Sequence, residues 1–266
     1  MKRSQWFACV GLAVLTACGN GWGRYTLVDT VQKTLPLSRD GTVSVETTNG
    51  GIDACAWDRD SVAVAAEIEI RADSRREAER IRERVRLTIE SVSTGVNAYA
   101  EIPRDRGNGG FWDWVFGRNG QVSVRFSLSA PTTARLNLES VNGTVAVSDI
   151  LGDLNLQTTN GKIDIRGGSG TIRARTTNGN IAAEKPAVGE QSRIALRTTN
   201  GSVRILLPAD ARADLRASTV NGSIRTDFPL QVEGQITGKR IRGRIGDGGG
   251  VLNLETVNGS IRIEKE

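Results

Sequence analysis

Seven short segments of this 266-residue chain share one four-residue pattern, Thr/Ser-Thr/Val-Asn-Gly. They are Thr47–Gly50, Ser140–Gly143, Thr158–Gly161, Thr176–Gly179, Thr198–Gly201, Thr219–Gly222 and Thr256–Gly259. From the second onward the spacings are 18, 18, 22, 21 and 37 residues. A period near 20 marks a repeat architecture in which each unit buries its apolar face only against its neighbours. The flanks alternate strictly: Leu154, Leu156 and Thr158 share one parity, and Ile163 and Ile165 follow the turn. The same phase holds at Val43-Val45-Thr47, Leu136-Leu138-Ser140, Ile194-Leu196-Thr198 and Leu252-Leu254-Thr256. Period-two alternation makes strands with one buried face, so the first Thr or Ser of each unit points inward with the leucines.

Two all-β architectures satisfy this pattern. In an antiparallel meander each Asn-Gly is a hairpin turn, and Leu156 faces Ile165. In a β-solenoid each Asn-Gly is a coil corner, with Gly supplying a positive φ and identical residues stacking along the axis. A hairpin has no need of an inward hydroxyl in every copy. A stacked corner uses it to satisfy a backbone group at the bend. The β-solenoid is therefore the expected fold, and Asn49, Asn142, Asn160, Asn178, Asn200, Asn221 and Asn258 are its expected side-chain amide ladder.

Residues 59–130 interrupt the repeats. Ser61 to Ile70 alternates as a strand, and Ser74 to Arg84 reads as a helix with capping-box spacing at Ser74 and Glu77. Two further strands follow, and such an insertion is expected to shield an open sheet edge. Residues 103–120 are Gly-rich and hold Phe111, Trp112, Trp114 and Phe116, four of the chain's twelve aromatic residues. These four read either as an apolar plug over the solenoid or as an exposed finger that stacks on sugars or enters a lipid interface.

The first 17 residues read as a signal peptide: Lys2 and Arg3, an apolar run too short to cross a membrane, then Leu15-Thr16-Ala17-Cys18. The last four resemble the bacterial lipobox. That resemblance implies acylation of Cys18, a tether over 18–25, and a β-repeat domain over 26–266. With Gly19 next, it implies the outer membrane in a Gram-negative host, facing the periplasm. Removing Lys2 and Arg3 from 35 basic residues leaves 33 against 30 acidic ones, too even for a nucleic-acid partner. Cys9 goes with the signal and Cys18 is acylated, so Cys55 is expected as a packed small residue, with a free surface thiol as the other reading. The chain has no histidine, which excludes His-based catalysis and His metal sites.

No catalytic, cofactor or metal motif is read. Gly246–Gly250 is a single glycine-rich turn, and Asp149, Asp153 and Asp164 do not recur in phase, so a polysaccharide-active enzyme is only a remote alternative. Arg173, Arg175, Arg197 and Arg216 occupy outward positions before successive corners. Stacking in sequence order gathers them into one basic strip, read either as a solvated face or as a site for anionic polymers. Asn137, Glu139, Asn253 and Glu255 take these positions in the units at either end.

The lipobox, the early Asn-Gly unit, the strand–helix–strand insert, the Gly/aromatic loop and the T-[TV]-N-G-x-[IV] run together resemble the bacterial "putative adhesin" β-strand-repeat family, a domain of unknown function. The resemblance implies a non-enzymatic, lipid-anchored envelope protein and supplies no catalytic residues. The expected function is binding of an envelope or surface polymer (a glycan, lipopolysaccharide or peptidoglycan). The alternative is a scaffold or regulatory module for another envelope protein in envelope stress.

Overall fold

A computed structural model describes residues 25–101, 121–232 and 238–266. The N-terminal part runs β1 (Tyr25–Pro36), β2 (Thr42–Asn49), β3 (Ile52–Trp57), β4 (Ser61–Ala72), α1 (Arg75–Arg84), β5 (Arg86–Val92), β6 (Gly95–Glu101) and β7 (Gln121–Pro131). The repeats supply β8 (Arg135–Asn142), β9 (Val145–Ser148), β10 (Leu154–Asn160), β11 (Ile163–Arg166), β12 (Thr171–Asn178), β13 (Ile181–Glu184), β14 (Arg193–Asn200), β15 (Val203–Leu207), β16 (Ala213–Asn221) and β17 (Ile224–Thr226). The chain ends with β18 (Leu230–Val232), β19 (Arg240–Ile245), β20 (Gly250–Asn258) and β21 (Ile261–Lys265).

Each Asn-Gly carries the chain from one sheet to the other. Leu156 lies beside Leu138 and Ala174 in parallel register, and Ile165 lies beside Val147 and Ala183. The hairpin alternative, with Leu156 facing Ile165, is thereby overturned: strands flanking one corner belong to different sheets. The result is an all-β solenoid of two long sheets. One runs β1-β4-β7-β3-β9-β11-β13-β15-β21-β17, the other β18-β19-β16-β20-β14-β12-β10-β8-β2-β6-β5. One coil buries Leu154, Leu156, Ile163 and Ile165 almost completely. Each such side chain contributes about 1.5–3 kcal/mol. Coils of 18 residues return through short loops such as 167–170. The coil with a spacing of 22 carries its extra residues in the return between β13 and β14.

The corners are built from three interlocking contacts. The inward hydroxyls are buried, and each donates to the backbone of the adjacent coil: Ser140 to Gly50 O, Thr158 to Gly143 O, Thr176 to Gly161 O and Thr198 to Gly179 O, at 2.8–3.0 Å. Side-chain amides form a continuous column from Asn49 through Asn142, Asn160, Asn178 and Asn200, each bond 2.7–2.8 Å. The glycines serve a purpose other than the expected one. Only Gly50 of the seven has a left-handed φ, +136°. At Gly161 a Cβ would lie 1.9 Å from Gly143 O, the oxygen that accepts the Thr158 hydroxyl. Glycine is required for close approach of backbones, and the same clash recurs at Gly143, Gly179, Gly201, Gly222 and Gly259.

The coils do not stack in sequence order. β20 pairs with β14 on one side and β16 on the other, all parallel, and β21 lies between β15 and β17. The amide column accordingly runs Asn200, Asn258, Asn221, each link 2.8 Å. β16 is then covered by antiparallel β19 and β18.

At the other end, β7, β4 and β1 prolong one sheet, and β6 and β5 the other. Ser74 caps α1 by accepting from the Glu77 amide at 3.3 Å, and Ala78 is its fully buried anchor against β1 and β4. Arg82 holds Asp29 of β1 at 2.6 Å.

Thr158→Val keeps the shape and leaves Gly143 O without its hydroxyl. Equilibrium unfolding should show a loss of about 1–3 kcal/mol, whereas Thr159→Val, on the exposed side of the same strand, should be near neutral. Gly161→Ala forces neighbouring backbones apart and should cost about 3 kcal/mol in the same assay.

Candidate functional site

The strands place alternate side chains outward, so the second sheet presents one flat polar face. Rows across it follow the register. One row reads Asn155, Arg173, Ala195, Asn253, Arg216, Arg242; the next reads Gln157, Arg175, Arg197, Glu255, Ser218, Arg240. Ala195, the smallest side chain in these rows, leaves a shallow groove of about 240 Å³ walled by Arg173, Arg175, Arg197, Asn155, Gln157 and the Asn253–Glu255 pair.

Arg173, Arg175 and Arg197 come together here and are exposed. Arg216 does not join them. The basic strip expected from sequence order is interrupted because β20 places Asn253 and Glu255 between Arg197 and Arg216. Glu255 lies 3.5 Å from the Arg197 guanidinium and accepts from the Asn253 amide at 3.1 Å. Arg216 instead faces Arg242 of β19. Asn155 donates to Asn137 Oδ1 at 2.9 Å, and a side-chain amide also carries an acceptor oxygen. The groove thus offers amide donors and acceptors, guanidinium donors and one carboxylate, a set suited to hydroxyl-bearing ligands. Sequence reading did not single out Asn155, Gln157 or Ala195; their signal was the outward parity shared with Arg173 and Arg175.

The other sheet's outward face carries a wider trough of about 430 Å³, floored by Ala63, Ala65, Ser127, Ser129 and Ala146. Cys55 lies in it and is exposed, with Sγ 3.4 Å from both Leu128 O and Ser129 Oγ. The packed thiol expected at Cys55 is therefore replaced by a surface one, because Cys55 takes the outward parity of β3. Among the described residues no three His, Cys, Asp or Glu side chains are gathered as a metal would need. Phe111, Trp112, Trp114, Phe116 and Cys18 lie outside the described residues.

The family model described as Toastrack DUF4097 matches residues 30–264. The chain belongs to the Toastrack family. Among solved structures, a "putative cell adhesion protein" from Clostridium sporogenes aligns over 90% of this chain and 100% of its own at 9% identity, with a TM-score of 0.50. A "putative adhesin" from Bacteroides fragilis covers 88% and 97% at 11% identity and 0.40. A "putative lipid binding protein" from Parabacteroides distasonis covers 89% and 96% at 11% identity and 0.30. Identity this low shows the Toastrack fold alone. Among curated proteins none matches the sequence.

Glu255→Gln should release Arg197 and join it electrostatically to its neighbours. Retention on an anionic polysaccharide at low salt should rise, and the gain should vanish at about 0.5 M salt, where screening is complete within a few ångströms.

Proposed function

We propose that this Toastrack protein is a non-enzymatic, adhesin-like envelope lipoprotein that binds an envelope glycan on the flat face around Ala195. The observation that carries the reading is the groove itself. Three guanidinium groups and three side-chain amides converge on a floor with no large side chain, and Glu255 offsets the charge of one guanidinium. Such a set donates to and accepts from sugar hydroxyls, and Arg173 and Arg175 add a preference for carboxylate or phosphate substituents. A rigid two-sheet scaffold keeps these groups in fixed rows at strand spacing, which suits a repeating polymer. The description of the Clostridium sporogenes neighbour as a "putative cell adhesion protein" is in keeping with this reading.

In this proposal Cys18 carries the acyl chains, the domain faces the periplasm from the outer membrane, and Trp112 and Trp114 add sugar stacking. The test is a pulldown of the chain with Cys18→Ser, which carries no acyl anchor, on peptidoglycan sacculi and on outer-membrane vesicles. Arg173→Ala/Arg175→Ala should weaken retention roughly ten-fold or more, because each charge-assisted hydrogen bond is worth about 1.5–3 kcal/mol. Trp112→Ala/Trp114→Ala should weaken it independently. Retention unchanged in both variants would contradict the reading.

A further inference from the structure

The last coil, 250–266, is not added to the end of the stack but held between two earlier coils. We propose that this slot is an interaction site for a second copy of the same chain, which fills it with its own C-terminal coil in a reciprocal exchange.

Two observations lead there. First, residues 219–225 and 256–262 are the same heptapeptide, Thr-Val-Asn-Gly-Ser-Ile-Arg, and lie side by side. The coil is therefore read on both sides by corners that recognise any Thr-x-Asn-Gly unit. Thr256 donates to Gly201 O at 2.8 Å and Thr219 to Gly259 O at 2.9 Å, while Asn258 links Asn200 and Asn221. Second, the coil hangs from a glycine hinge. Gly246, Gly248 and Gly249 have φ of +57°, +80° and +145°, backbone states that adapt readily to another course.

An exchanged pair remakes every contact of the closed form: β20 against β14 and β16, and β21 against β15 and β17. The two forms then differ in hinge conformation and in the entropy of association, so concentration decides between them. Exchange also makes the groove a shared site. Arg173, Arg175 and Arg197 come from one copy, and Asn253 and Glu255 from the other. The inference stands on the pairing of the coils and does not depend on the glycan reading.

The test uses full chains in which Cys9, Cys18 and Cys55 are serine. One carries Ala195→Cys and the other Asn253→Cys, outward register partners on β14 and β20. Parallel neighbours lie at a separation that a disulfide spans. The two chains are unfolded together, refolded as a mixture over a range of concentrations, and oxidised. The expected result is a disulfide-linked heterodimer whose yield rises with concentration and exceeds several-fold that of an Ala195→Cys and Asn155→Cys mixture, which reports random collision. A yield equal to that control at every concentration overturns the proposal. One chain carrying both Ala195→Cys and Asn253→Cys should close internally when dilute. Failure to close would take the coil out of the slot and overturn the proposal equally.

Discussion

From Ser140 onward, each coil meets its neighbour at one oxygen. A corner glycine carbonyl accepts the hydroxyl of the next Thr and at the same time lies where a Cβ of the next Gly would be. The two requirements act on one atom, so a slip of one residue loses both together. It also turns every leucine to the solvent face. Buried hydroxyls bonded in this way leave no orphaned acceptor at the bend, which is the condition for carrying parallel strands around a sharp corner without water. The asparagine column adds a further bond per coil at the surface. The aliphatic core provides most of the burial energy, but it does not by itself choose the register.

Much of this was legible from parity alone. The inward position of Thr158 and its equivalents followed from its phase with Leu154 and Leu156, and the asparagine column followed from repetition. The helix at 75–84 followed from the capping-box spacing of Ser74 and Glu77. The reason for the glycines did not follow. A positive φ is the usual demand that a turn makes of glycine, and only contact between separate coils reveals the steric one. The order of coils was hidden for a different reason. The heptapeptides at 219–225 and 256–262 are identical, so local sequence gives either unit the same claim to the place beside β14. The longer spacing of 37 was the one sign of a detour, and it fits the β18–β19 excursion.

That hidden order decides the chemistry of the face. With coils in sequence order, Arg216 comes beside Ala195, diagonal to Arg197, and the surface reads as a continuous cationic strip. With β20 interposed, Glu255 meets Arg197, Asn253 sits beside Ala195, and the groove becomes a mixed field of amides and ion-paired guanidinium. The difference between a cationic strip and a mixed polar face thus rests on where one 17-residue coil docks. Arg216, displaced from the groove, joins Arg240 and Arg242 in a separate basic corner at the end of the sheet.

Amide hydrogen exchange at the corner glycines tests the central claim most directly. In the interposed order the Gly259 amide donates to Asn221 O at 3.0 Å, while among the described residues no acceptor meets the amide of Gly222. Gly143, Gly161, Gly179, Gly201 and Gly259 should therefore exchange as slowly as the adjoining strands, and Gly222 should exchange quickly. Slow exchange at Gly222 with fast exchange at Gly259 would mean that the coils stack in sequence order. Fast exchange at all seven would mean that the corners are simple turns.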